Sequence, residues 1–224
     1  MKKRYIGLTG VIGMGALVMA ALAMPARGEG SGPYFNADAG VALADDVALK
    51  RFGVPVSGVK VKFDTGFRVS VGGGYNFNEY IGVGLETGFI YNSVDMLKGS
   101  GGSFSDIDSS LSHIPLMANV TLRYDKPDCK WVPYLGFGAG ADVSILTADS
   151  LDGVDVDYRE SDVVFAWQAF AGVRYKITPS ISIGAGYKYY RAESASWDAD
   201  GISDAIKFGA AGSHNIVATF NWSF

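Results

Sequence analysis

Cysteine is all but missing from this chain. Cys129 stands alone among 224 residues, which rules out an intramolecular disulfide. Histidine is scarce as well, with only His113 and His214 available as imidazole bases. An excess of basic charge is also lacking: 19 Lys and Arg face 23 Asp and Glu. Nucleic acid is therefore not an expected partner, because phosphate binding needs a basic footprint. After Ala23 no apolar run approaches 18 residues. Any membrane crossing beyond that point must use strands, which hide their backbone polar groups only by closing into a barrel.

The one long apolar run is at the start. Lys2, Lys3 and Arg4 precede Ile6 to Ala23, and small residues follow, the order of a secretory leader. Residues 1–28 read as a cleaved signal peptide, with Ala26 and Gly28 as the small side chains before the cut and Ala21-Leu22-Ala23 as a second site. The mature chain, residues 29–224, is then more acidic, with 15 basic against 23 acidic residues. No cysteine lies near the leader's end, which argues against a lipid-modified terminus.

Glycine is plentiful, and it falls in a strict rhythm. Phe67, Val69, Val71 and Tyr75 occupy one face of an alternating segment, and Arg68, Ser70, Gly72 and Gly74 the other. Ile81, Val83, Leu85, Phe89 and Tyr91 oppose Gly82, Gly84, Glu86 and Gly88 in the next. The same pattern returns from Ile114, Leu135, Phe165, Ile181 and Ile216, and more weakly over Phe35 to Leu43. Period-two alternation of this length exceeds an ordinary strand and suits a tilted membrane strand of about 9 to 11 residues. Bulky apolar rows opposite rows of glycine and charge place the apolar side in lipid and the polar side in a narrow lumen. Aromatic residues gather at the strand ends, where interfacial girdles form.

Eight such segments are joined by connections that alternate in length. Residues 44–61, 94–110, 146–162 and 193–209 read as long polar loops, whereas 76–79, 125–130 and 178–180 are short. The expected fold is all-β: an eight-stranded antiparallel transmembrane up-and-down β-barrel. Long loops belong outside and short turns in the periplasm, which puts both mature termini in the periplasm. Asp45 to Phe52 could form a short helix within the first loop.

Several stretches carry a family resemblance that covers residues 33–224. They are Ile114-Pro115-Leu116-Met117-Ala118-Asn119-Val120, Pro133-Tyr134-Leu135-Gly136-Phe137-Gly138-Ala139-Gly140, Trp167 to Tyr175, Gly186-Tyr187-Lys188-Tyr189, and the closing alternation of Phe220, Trp222 and Phe224. The chain resembles the opacity-protein and OmpA/OmpX-like family of small outer-membrane β-barrels. Resemblance implies a bacterial outer-membrane location and insertion by the barrel assembly machinery, which reads the last strand through Phe220, Trp222 and Phe224. Thr219 stands where that signal commonly has glycine.

Parity along the strands directs Asp64, Arg68, Glu86, Arg123, Asp142, Arg174 and Lys188 into the lumen, where buried charge must pair. Resemblance to the family suggests a gating version, in which Glu86 switches partners over a thin aqueous path. Catalysis is not expected. Ser112-His113 and Ser213-His214 are sequence neighbours, so their side chains point to opposite faces of a strand, leaving only a cross-strand partner to complete a nucleophile–base pair. Both histidines read as polar rim residues. Asp149, Asp152, Asp155, Asp157, Glu160 and Asp162 could offer oxygen to calcium or make divalent-bridged contacts with lipopolysaccharide, but their spacing lacks the EF-hand order. No cofactor or resident metal is expected. The sequence thus points to a non-enzymatic barrel with a structural and surface-interaction, adhesin-like role. Its partners would be outer-membrane lipid, lipopolysaccharide and an extracellular ligand of the long loops. A narrow porin-like channel is the alternative.

Overall fold

The structure, a computed structural model, describes residues 30–99, 102–104, 107–151, 154–199 and 202–224. The expected signal peptide, residues 1–28, lies outside them, as does Asp152. The described residues form thirteen strands and no helix: β1 (Gly32–Ala44), β2 (Val47–Phe52), β3 (Val54–Phe63), β4 (Gly66–Asn76), β5 (Ile81–Gly99), β6 (Gly102–Phe104), β7 (Ile107–Arg123), β8 (Trp131–Leu151), β9 (Val154–Lys176), β10 (Ile181–Ala192), β11 (Ser196–Ala199), β12 (Ile202–Phe208) and β13 (Ala211–Ser223).

Eight of these make a closed antiparallel barrel in the order β1-β4-β5-β7-β8-β9-β10-β13, each paired to the next in the chain's own up-and-down sequence. Closure comes from β1 against β13, in register from Tyr34↔Ser223 to Ala44↔Ser213. Closing the sheet removes the free edges that would leave N–H and C=O groups unpaired.

Side chains alternate across this wall as the sequence requires. Leu135, Phe137, Val120, Phe165, Ile183 and Ile216 are exposed on the outside, and Gln168, Arg68, Asp142 and Asn215 are fully buried inside. Aromatic rings bound the exposed belt. At the short-turn end Trp131 meets Tyr175 at 4.9 Å and Trp222 stacks on Phe224 at 4.6 Å. Toward the long-loop end Phe67 stacks on Tyr91 at 5.7 Å and Trp167 meets Tyr189 at 5.5 Å. From Tyr175 to Trp167, β9 rises about 27 Å along the strand, or about 20 Å along a barrel axis tilted by about 40°. That is close to the apolar height of an outer-membrane barrel.

The strands do not stop at the upper rings. β8 has 21 residues, about 70 Å of chain or roughly 54 Å along the barrel axis, well over twice the height of the belt. Residues 44–61, 94–110, 146–162 and 193–209, expected as polar loops, are largely strand. β11, β12, β2 and β3 join the outer half of β5 in a second sheet that carries the wall upward. Asp45 to Phe52 corrects the helical expectation: it contains β2, because Val47 and Leu49 alternate inward between exposed Ala48 and Lys50.

What holds the upper wall is a change of polarity within one row. On β8 the inward row runs Tyr134, Gly136, Gly138, Gly140, Asp142 and Ser144, then turns apolar at Leu146 and Ala148. Val47, Leu49, Val61, Val94, Leu111, Trp197 and Phe208 join Leu146 in a buried cluster. Trp197 donates to the Ser144 carbonyl at 3.2 Å, and its ring meets Phe208 edge-on at 5.1 Å. Tyr158 on β9 donates to the Asp198 carbonyl at 2.8 Å, tying the second sheet to the first. An apolar plug therefore fills the long-loop end.

Inside the lower barrel, glycine makes room for two tyrosines. A Cβ on Gly172 or Gly186 would lie 2.5 Å from the Tyr134 hydroxyl, and one on Gly84 would collide with that of Tyr34. Gly172→Val should therefore force Tyr134 out of place and destabilise the barrel by about 1 to 3 kcal/mol, read as a lower urea midpoint in lipid vesicles. An unchanged midpoint would show that Tyr134 has free room.

Candidate functional site

The interior is stacked in layers, and the middle one is built around Glu86. Glu86, pointing inward from β5, accepts hydrogen bonds from Arg68 Nη2 at 2.8 Å on Oε1, from Lys188 Nζ at 2.9 Å on each oxygen, and from Asn119 Nδ2 at 3.2 Å on Oε2. Lys188 also donates to Asp38 Oδ2 at 2.6 Å, which receives the Ser70 hydroxyl at 3.2 Å. Arg68 Nη2 donates to Gln168 Oε1 at 2.7 Å, and Gln168 Nε2 returns to Asn119 Oδ1 at 3.0 Å. Two cations and two anions from β4, β10, β5 and β1 thus meet across the lumen, with no net charge. Neutrality is what permits this burial, since an unpaired ion in so narrow a space would carry a large desolvation penalty.

Above this layer, Asp142 Oδ2 lies 2.7 Å from His113 Nδ1 and accepts the Ser144 hydroxyl at 2.6 Å. Tyr190 roofs the middle layer, with its ring edge-on to His113 at 5.8 Å and 5.6 Å from the Arg68 guanidinium. Below it, Arg174 lies over Tyr134 at 4.9 Å. Arg123 donates to Asp125 at 2.7 Å, to the Asn78 carbonyl at 2.8 Å and to the Gly30 carbonyl. Lys176 reaches the other oxygen of Asp125 at 2.6 Å. A space of about 60 Å³ separates this layer from Glu86, lined in part by Tyr34, Thr121, Tyr134 and Arg174. It has room for a handful of water molecules. At the short-turn mouth an open basin of about 560 Å³ is lined by Arg123, Asp125, Lys176 and Phe224. On the turn beside it, Lys126 donates to Glu79 at 2.5 Å, and that bond holds the ammonium above the usual lysine range.

Of the residues directed inward by parity, Arg68, Glu86 and Lys188 meet directly. Asp142 sits one layer above, and Arg123 and Arg174 one layer below. Asp64 departs from the set. It stands exposed in the gap between β3 and β4, its N–H bonded to the Ser93 carbonyl at 3.0 Å, because β4 begins only at Gly66 and the inward row has not yet entered the barrel. Asp38 is the member the sequence reading passed over; its inward parity on the weakly patterned β1 was the available signal.

His113 also corrects an expectation. It is buried inside the barrel, not a polar rim residue, because β7 continues above it to Ile107. His214 is on the outer side, with its Nδ1 2.5 Å from the Tyr187 hydroxyl and its Nε2 3.3 Å from Asp45. Ser144, His113 and Asp142 have the composition of a hydrolytic triad but not its roles. Serine and aspartate both meet Nδ1, and the serine proton points to the carboxylate; a base relay needs its two partners on opposite ring nitrogens. Among the described residues no cluster could hold a metal ion, and the side chains of Asp149, Asp152, Asp155 and Asp157 lie outside the described part.

A closed eight-stranded wall, apolar outside between aromatic rings and polar with paired charge inside, defines a small integral β-barrel. The chain belongs to the outer membrane protein beta-barrel domain family, whose pattern matches residues 13–224, and it is an outer-membrane β-barrel protein. Solved structures share the fold. The Neisserial surface protein A (NspA) is 21% identical over 88% of this chain and all of its own, with a TM-score of 0.54. OprG from Pseudomonas aeruginosa is 12% identical over 89% of this chain and all of its own, at 0.57. The outer membrane protease OmpT from Escherichia coli is 10% identical over 91% of this chain and all of its own, at 0.55. No curated protein matches the chain in sequence.

Replacing Lys188 by Met leaves Glu86 with one cation and Asp38 with none. We expect a loss of about 3 to 5 kcal/mol, measured by urea unfolding in vesicles, and partial recovery when Asp38→Asn is added. A loss under about 1 kcal/mol would show that the middle layer is not held by these pairs.

Proposed function

We propose that this protein is a non-conducting, non-enzymatic barrel that anchors a rigid, packed head at the cell surface for contact with other molecules. One observation carries the reading: the long-loop end is filled by the apolar cluster around Trp197 and Phe208, directly above the Asp142 layer. Ions moving through the lumen would have to cross the paired charges of Glu86 and then this plug. A switch of Glu86 between cations would not open such a path, since the plug lies beyond it.

The two ends support one orientation. The head exceeds the belt in height, and the other end has only the turns at 77–80, 124–130 and 177–180. We place the head outside and both mature termini in the periplasm, after removal of residues 1–28. Phe220, Trp222 and Phe224, exposed in one row of β13 and its end, are then available to the barrel assembly machinery from the periplasmic side. The adhesin-like role rests on the head's exposed hairpin tip, where Phe52 and Val54 flank Gly53 at φ 66°. An enzymatic role lacks support: the Ser144, His113 and Asp142 group is buried beneath the plug in an order unsuited to activating the serine.

Recordings in planar bilayers test the reading. The parent and Glu86→Ala should both be electrically silent, because neither changes the plug. Steady single-channel current from the folded parent would favour the channel instead.

A further inference from the structure

The outward face of the second sheet is basic, although the whole chain has a formal net charge of −4. Val61 and Leu49 point into the plug, so their neighbours Lys60, Lys62 and Lys50 point away from it. The registers add a second fact. Lys60 stands directly across from Lys98 on β5, and Arg51 directly across from Lys207 on β12. Like charges placed opposite each other destabilise a sheet, and both pairs lie on the outward face. Lys60 and Lys98 flank the inward Val61 pair, while Lys207 lies between Ile206 and Phe208, which pack on the plug, and a bulge at Lys50 brings its partner Arg51 to the same side. None of these six cations forms an ion pair among the described residues; Lys50 donates only to the Ser194 hydroxyl, at 3.2 Å.

Height and direction indicate what the face meets. Lys62 pairs with Met96, and Lys98 lies two residues further along β5. Measured from Tyr91 in the upper aromatic ring, these positions are about 17 and 24 Å along the strand, or roughly 13 and 18 Å above the ring. Because the inner face of this wall is packed against the plug, the cations point sideways, into the layer that surrounds the barrel above the acyl chains. Directly opposed residues are about 5 Å apart at Cα, so two flexible ammonium groups can converge on one phosphate.

We infer that this face is a docking surface for the phosphorylated sugars of lipopolysaccharide in the same membrane, with Lys60 and Lys98 sharing a phosphate and Arg51 and Lys207 a second. The inference rests on the orientation proposed above. A soluble sulfated polysaccharide would share the charge chemistry, but the sideways aim favours the surrounding lipid.

The test uses the full chain folded in detergent micelles, with rough lipopolysaccharide as the probe, its dephosphorylated form, and heparin as competitor. Removing the phosphates should weaken binding to the parent at least tenfold, and so should the triple variant Lys60→Gln, Lys98→Gln, Lys207→Gln. The variant's unfolding midpoint should be equal or higher, since repulsion is relieved. Affinities within twofold in either comparison would overturn the inference, as would heparin binding more tightly than lipopolysaccharide. The dephosphorylation arm needs no variant, so a folding defect cannot hide the answer. Binding in micelles does not depend on orientation. Protease shaving of intact cells tests that separately: cuts confined to the head support it, and cuts at Asp125 to Lys130 overturn it.

Discussion

Closure of the sheet between β1 and β13 is the constraint on which everything else depends. A bilayer offers no partner for backbone N–H and C=O groups, so the chain must satisfy all of them itself. Eight strands accomplish this with the narrowest interior that side chains can fill. Such an interior has little water to solvate charge. Arg68, Lys188, Glu86 and Asp38 are accommodated because they cancel and share hydrogen bonds. The same narrowness requires glycine wherever Tyr34 and Tyr134 cross the lumen.

Above the upper aromatic ring the solvent changes and the strand code changes with it. Within the belt, lipid draws the large apolar side chains outward. Beyond it, water surrounds the wall and the interior becomes the dry side, so Leu146, Val94, Leu111 and Trp197 turn inward. The backbone continues without interruption while the apolar row moves to the other face. One tube thereby has a membrane-facing lower half and an upper half with an apolar core, and the second core lies over the first.

This inversion explains what was legible in the sequence. The rows from Phe67, Ile81, Leu135 and Phe165 declared eight strands and their faces because lipid imposes one long, consistent alternation. Parity directed Glu86, Arg68 and Lys188 into the same lumen; which of the inward charges meet is set by the register between strands. The upper strands were unreadable as such, because Val47, Leu49 and Val61 alternate with lysines in short runs that resemble polar loop. The His113, Asp142 and Ser144 layer depends on the β7–β8 register, in which His113 stands across from Ser144, and alternation does not encode register between strands. Asp64 shows the converse limit: correct parity does not bury a residue that lies beyond the end of its strand.

The central claim is that the wall continues past the membrane as a packed barrel closed by its own apolar core. Amide hydrogen exchange along β8 in lipid bilayers tests it most directly. Slow exchange should persist from Leu135 through Ser144 to Leu146 and Ala148, with matching protection around Trp197. Protection that ends at Ser144, with fast exchange above it, would mean that the head is an open set of loops and that nothing seals the lumen.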